Sequence, residues 1–101
     1  MKQRKLVYLP AAERDLDESV KYIFKDSPAS AAAWLQSIDE ALSRLASFPE
    51  SGVVPRNARL AARGYRVVVI GQYLAFYVLK PGDVEIRRVL RGRRRYAFLL
   101  P

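Results

Sequence analysis

Apolar residues recur along this chain with two periods, and the change of period divides it into a helical first half and a sheet-like second half. Residues 4–9, with Leu6, Val7, Tyr8 and Leu9, predict a brief strand ahead of Pro10. Pro10 suits a helix start, where its missing N–H costs little. Beyond it Ala12, Leu16, Val20, Ile23 and Phe24 recur at i, i+4, i+8, i+11 and i+12, the stripe of an amphipathic helix. Ser27-Pro28 predicts the end of that helix and the start of the next, with Ser27 as N-cap and Pro28 in the first helical position. Leu35, Ile38, Leu42 and Leu45 form the second stripe, flanked by Trp34 and Ala41, and Phe48-Pro49 closes it. Trp34 is expected between helix and sheet, with its indole N–H at the edge.

A loop over residues 49–63 follows, with Pro49, Gly52, Pro55 and Asn57, and its arginine-spaced end from Arg56 to Arg63 predicts a helical turn. The period then shortens. Val67, Val68, Val69 and Ile70 are continuous and β-branched, as in a strand with apolar contacts on both faces. Gly71-Gln72 is a two-residue turn leading to a strand from Tyr73 to Leu79, and Lys80-Pro81-Gly82-Asp83 is a second turn. Residues 84–91 make the last strand, where period 2 puts Val84, Ile86 and Leu90 on one face together with Arg88. Either a bulge resets the register there, or a carboxylate or backbone carbonyls hold Arg88 near the core. The order predicts an α+β fold: an N-terminal strand, then an antiparallel helical hairpin packed on a small antiparallel β-sheet (β-α-α-β-β-β). The opposite sheet face and the sheet end are then the places for function.

Composition narrows the chemistry. At 101 residues the chain is one domain, 1–101, with half its residues hydrophobic and 28% charged. It has no cysteine, which removes thiol chemistry, thiolate metal sites and disulfides. It has no histidine, which removes imidazole acid–base chemistry and argues against zinc. No metal and no cofactor are expected. The acidic run Glu13, Asp15, Asp17 and Glu18 precedes Lys21 and Lys25, an order that complements the helix dipole. Its spacing scatters the carboxylates round an exposed face and predicts a solvated surface. No apolar run nears the ~20 residues of a membrane span, and no signal-peptide core opens the chain. A soluble cytoplasmic protein without a membrane partner is expected.

The net charge of +8 is lopsided. Residues 1–50 carry seven Lys/Arg and eight Asp/Glu, whereas residues 51–101 carry eleven and two. Such a surface suits nucleic acid or an acidic protein partner. Its densest part is Arg91-Gly92-Arg93-Arg94-Arg95, ending at Tyr96. Like charges so close cost stability unless something binds them, so Arg88, Arg91, Arg93, Arg94, Arg95 and Tyr96 are the target-binding candidates. Tyr65, Tyr73 and Tyr77 are expected to pack on the sheet.

Several segments together resemble the ParE/RelE superfamily of bacterial type II toxins, often called plasmid stabilisation proteins. They are Pro10-Ala11-Ala12-Glu13-Arg14-Asp15-Leu16 with Tyr22-Ile23, and Leu42-Ser43-Arg44-Leu45-Ala46-Ser47-Phe48-Pro49-Glu50-Ser51-Gly52. Gly64-Tyr65-Arg66, Phe76-Tyr77, Arg88-Val89-Leu90-Arg91-Gly92-Arg93-Arg94 and the tail Leu99-Leu100 complete the set. Each piece is common, and their order and spacing together are specific. The resemblance implies one of two activities. RelE-like members cut messenger RNA in the ribosomal A site, using sheet cations, a general acid or base and, in some, a C-terminal tyrosine. ParE-like members poison DNA gyrase by protein contact and lack that set.

Compared with the nuclease branch, Tyr73-Leu74-Ala75-Phe76-Tyr77 holds Leu74 where an arginine is common. Val67-Val68-Val69-Ile70 lacks the lysines that branch places there. The ParE-like, non-enzymatic reading is therefore preferred. The alternatives are a RelE-type ribonuclease, for which Arg66, Arg88, Arg91, Arg93, Arg94 and Tyr96 leave some groups, or a divergent toxin with weakened activity. The resemblance also implies a cognate antitoxin, ParD-like or similar, in a hetero-oligomeric complex. Its acidic segment is expected to cover the helical pair and part of the sheet, facing Arg56, Arg59, Arg63 and Arg66. From the arginine end alone, direct nucleic-acid binding is a further possibility.

Overall fold

The computed structural model describes residues 3–92. Its elements run β1 (Lys5–Tyr8), α1 (Pro10–Asp26), α2 (Pro28–Ser47), α3 (Ala58–Ala62), β2 (Tyr65–Ile70), β3 (Tyr73–Lys80) and β4 (Asp83–Arg91). One residue, Ser27, both ends α1 and begins α2. Pro28 disfavours helical backbone at the residue before it, and Ser27 is extended at φ −160° and ψ 115°. Its N–H donates to the Ile23 carbonyl at 3.0 Å, and its Oγ accepts from the Ser30 N–H at 3.1 Å. The helical hairpin is therefore written in two residues. The turn expected between Arg56 and Arg63 is α3, with Asn57 Oδ1 accepting from the N–H groups of Arg59 and Leu60.

The sheet order is β1-β4-β3-β2. The β2–β3–β4 meander is antiparallel as expected, but β1 pairs with β4 in parallel, so the sheet is mixed. The helical hairpin supplies the long connection that a parallel neighbour needs. Ile70 faces Tyr73 across Gly71-Gln72, and Gly71 at φ +60° gives the positive-φ first position such a two-residue turn uses. Pro81-Gly82 closes the β3–β4 turn between the paired Lys80 and Asp83. Val53 lies along the outer edge of β2 and exchanges both backbone bonds with Val67, at 2.9 and 2.8 Å.

Two apolar layers sandwich the sheet. Toward the helices Ala12, Ile38, Leu42 and Leu45 pack on Ala75, Tyr77, Val84, Ile86 and Val89, all fully buried. On the opposite face Leu60 of α3 packs on Tyr65, Val67, Phe76 and Val78. The expected grouping of Val84, Ile86 and Leu90 is corrected by a bulge. Tyr77 pairs with Ile86 and Phe76 with Arg88, leaving Arg87 as the extra residue. Past the bulge Val89 joins the helix-facing core and Leu90 packs in the other layer. The apolar stripes also end sooner than the sequence suggests. Phe24 and Leu35 are 56% and 43% exposed, although Trp34, next to Leu35, packs on the sheet. Trp34 packs on Tyr73 with ring centroids 4.9 Å apart, and its indole N–H is buried without a partner among the described residues, not at the edge.

Candidate interaction surfaces

The segment Pro49-Glu50-Ser51-Gly52 has a physical reason for its spacing. Tyr77, fully buried in mid-sheet, donates its hydroxyl proton to the Pro49 carbonyl at 2.7 Å and accepts from the Gly52 N–H at 3.0 Å. One phenol thus ties the end of α2 to the sheet. A side chain at Gly52 is excluded, since a Cβ there would lie 2.5 Å from the Tyr77 hydroxyl and 2.8 Å from the Val67 carbonyl. Arg66 holds the same loop from outside, donating to the carbonyls of Glu50 and Gly52 at 3.2 and 2.9 Å. Burial pushes the Tyr77 phenol above its ordinary pKa, against the opposing pull of the Gly52 N–H and Arg66. A neutral, doubly bonded phenol is a structural pin.

The arginines of β4 are engaged one by one. Arg88 meets Asp15 of α1 in a two-pronged pair, Nε–Oδ2 at 2.7 Å and Nη2–Oδ1 at 2.9 Å. Asp15 also accepts the Val89 N–H at 3.0 Å. The geometry explains the choice: β1 pairs only up to Ile86, so beyond it the outer edge of β4 needs another acceptor, and α1 brings one. Bulge and carboxylate partner, set as alternatives in the sequence, both occur. Asp15 thereby departs from the solvated acidic run, its side chain being only 10% exposed. The bond to Asp15 raises the pKa of Arg88 further above its ordinary value. Arg87 pairs with Glu85 at 2.7 Å and lies over the Tyr65 ring, 5.5 Å from its centroid. Arg91 is exposed and donates to Gln72 at 3.1 Å, beside a hollow that it lines with Val69, Leu74 and Gly92. Arg93, Arg94, Arg95 and Tyr96 lie outside the described residues.

The other expected cations fall into two groups. Arg56, Arg59 and Arg63 are exposed on and beside α3. Arg66 does not join them as a free charge, because its guanidinium is spent on the 50–52 loop.

The helical pair was expected to be a covered surface, but its groove was not read from the sequence. Between α1 and α2 runs an open groove of about 750 Å³, floored by Tyr8, Leu16, Ala32, Leu35 and Ile38. Glu13, Asp39 and Gln36 complete its lining. Burial, and then the Asp39 carboxylate, push the Tyr8 phenol above its ordinary pKa. Tyr22 and Phe24 add exposed aromatic surface on the same hairpin, 63% and 56% accessible. A leucine that sheet and helix leave uncovered marks a face that something else can cover.

Among the described residues the aromatic side chains bring the buried polar atoms, no charged side chain is fully buried, and no group of three or more His, Cys, Asp or Glu could hold a metal. No helix among them is long and apolar enough to cross a membrane.

Comparison with known proteins agrees with this architecture. Residues 6–96 match the family described as the ParE toxin of the type II toxin-antitoxin system parDE. A flavin-dependent thymidylate synthase from Mycobacteroides abscessus is 34% identical over 109 aligned positions, covering 94% of this chain and 44% of that protein. The chain thus spans less than half the length of that relative. Among solved structures, the chromosomal ParDE TA system from P. aeruginosa superposes with a TM-score of 0.74 at 21% identity, over 90% of this chain and 98% of that one. The fold is shared, and the match over residues 6–96 establishes that this chain belongs to the ParE toxin family of type II toxin–antitoxin systems.

Proposed function

We propose that this chain is the toxin of a type II pair that inhibits DNA gyrase by protein contact, without catalysis, and is neutralised by a cognate antitoxin. Family membership supports the toxin role. The observation that carries the non-enzymatic reading is the engagement of the sheet's own cations. Arg66 is bound to two carbonyls, Arg87 to Glu85 and Arg88 to Asp15. Phosphoryl transfer needs cations aimed at a developing phosphorane and a group to move a proton. Here the guanidiniums hold protein groups, and the buried phenol of Tyr77 holds the loop instead. Arg91, exposed and bonded to the neutral Gln72, and the arginines after Gly92, with Tyr96, are the candidates for contact with gyrase.

The antitoxin has two surfaces to cover, the exposed apolar groove on the helical hairpin and the arginines of α3. Acidic residues of the antitoxin facing Arg56, Arg59 and Arg63 speed encounter as well as tighten it. Induced expression in bacteria, alone and with the antitoxin, tests this reading. Growth arrest with broken chromosomal DNA, relieved by the antitoxin, is the expected outcome. Arrest with intact DNA and cleaved messenger RNA contradicts it.

A further inference from the structure

The groove on the helical hairpin and the arginines of α3 carry opposite charge, and a partner of uniform charge cannot suit both. The groove's floor is apolar, so an occupant helix must present an apolar ridge. Among the described residues its charged lining is wholly acidic, from Glu13 on α1 and Asp39 on α2, with no lysine or arginine. The α1 cation Lys21 is paired with Asp17 at 2.8 Å and does not line the groove. Neither Glu13 nor Asp39 forms an ion pair among the described residues. The Asp39 carboxylate acts on the Tyr8 phenol in the floor, so its field reaches the apolar surface where a partner would lie.

We infer that the groove is built for an amphipathic helix that is apolar along one ridge and basic at its margins, so that the antitoxin presents lysine or arginine to Glu13 and Asp39 and acidic residues only to α3. This inference rests on the toxin–antitoxin reading for the identity of the partner, and it replaces a uniformly acidic segment by one of divided charge. An acidic helix seated in the groove would set like charges within a Debye length of each other, ~8 Å at physiological salt. A basic margin converts that repulsion into exposed ion pairs, each strengthening binding by up to about fivefold.

The test uses three stapled helical peptides with the same leucine ridge, flanked by lysine, glutamine or glutamate, titrated calorimetrically against the purified protein. The expected affinity order is lysine, glutamine, glutamate, with roughly two- to twenty-five-fold between lysine and glutamine at low salt and glutamate weaker still. The Glu13→Gln/Asp39→Asn double variant should collapse the order, and Glu13→Lys/Asp39→Lys should invert it. Equal affinities, or tightest binding of the glutamate peptide, overturn the inference. Failure of all three peptides to bind while the antitoxin still relieves growth arrest overturns the groove but leaves the toxin reading intact. The expected order in a protein that arrests nothing keeps the groove and removes that reading.

Discussion

Replacing Tyr77 by phenylalanine isolates the contact that joins the α2 end to the sheet. The ring stays in its pocket, so little packing is lost, and only the hydroxyl is deleted. Two hydrogen bonds go with it, one to the Pro49 carbonyl and one from the Gly52 N–H. Pro49 is only partly buried and its carbonyl can turn to water, at the loss of about 1 kcal/mol. Gly52 is buried, and its N–H is left without an acceptor, which costs about 1–3 kcal/mol. The expected destabilisation is therefore about 2–4 kcal/mol, or on the order of 10–30 °C in Tm for a domain this size. Urea unfolding followed by circular dichroism measures it, with Tyr22→Phe as the control because Tyr22 is 63% exposed. Amide exchange at Gly52 should accelerate in the variant. A Tyr77→Phe protein within about 0.5 kcal/mol of wild type, with Gly52 still protected, would refute the reasoning.

The same phenol sets a pH dependence. Tyr77 and Tyr8 both have pKa values raised above 10.0, chiefly by burial, so each ionises more readily in the unfolded chain. Their contribution is complete below pH 10 and is lost as pH rises through the folded values, and Tyr77→Phe should make the alkaline loss shallower in pH-stepped unfolding. Asp15→Ala should cost about 2 kcal/mol, and a double-mutant cycle with Arg88→Ala should return a coupling of about 1–2 kcal/mol; additivity would remove the pair from the account. Arg59→Glu/Arg63→Glu should slow antitoxin association by on the order of tenfold at low salt, in stopped-flow mixing, with the gap closing at high salt. An association rate indifferent to salt would count against acidic contacts at α3.

The parts of the fold legible in the sequence were those fixed by local chemistry. Ser27-Pro28 dictates a helix boundary by steric exclusion, and Gly71-Gln72 and Pro81-Gly82 dictate turns, so the hairpin and the meander follow from adjacent residues. Arg88 announced itself because an arginine among apolar alternate positions needs either a bulge or a partner. What stayed hidden depends on distant residues. Nothing in Glu13-Arg14-Asp15-Leu16-Asp17 marks Asp15 as the carboxylate that meets β4, because its neighbours at similar spacing remain exposed. The parallel pairing of β1 with β4 is a choice of topology made by packing. Tyr77 was expected to pack, but its two bonds to Pro49 and Gly52 link residues 28 and 25 positions away. The groove was illegible for a related reason: helical periodicity identifies apolar residues but cannot say which of them the sheet fails to cover. Leu35 reads as core in the stripe and lies in the groove.

The most direct measurement is a DNA gyrase supercoiling and cleavage assay with the purified protein, run with and without its antitoxin. The account predicts loss of supercoiling and accumulation of cleaved DNA, both reversed by antitoxin and weakened by Arg94→Ala. Unimpaired gyrase, with messenger RNA cut in a parallel ribosome reaction, would contradict it.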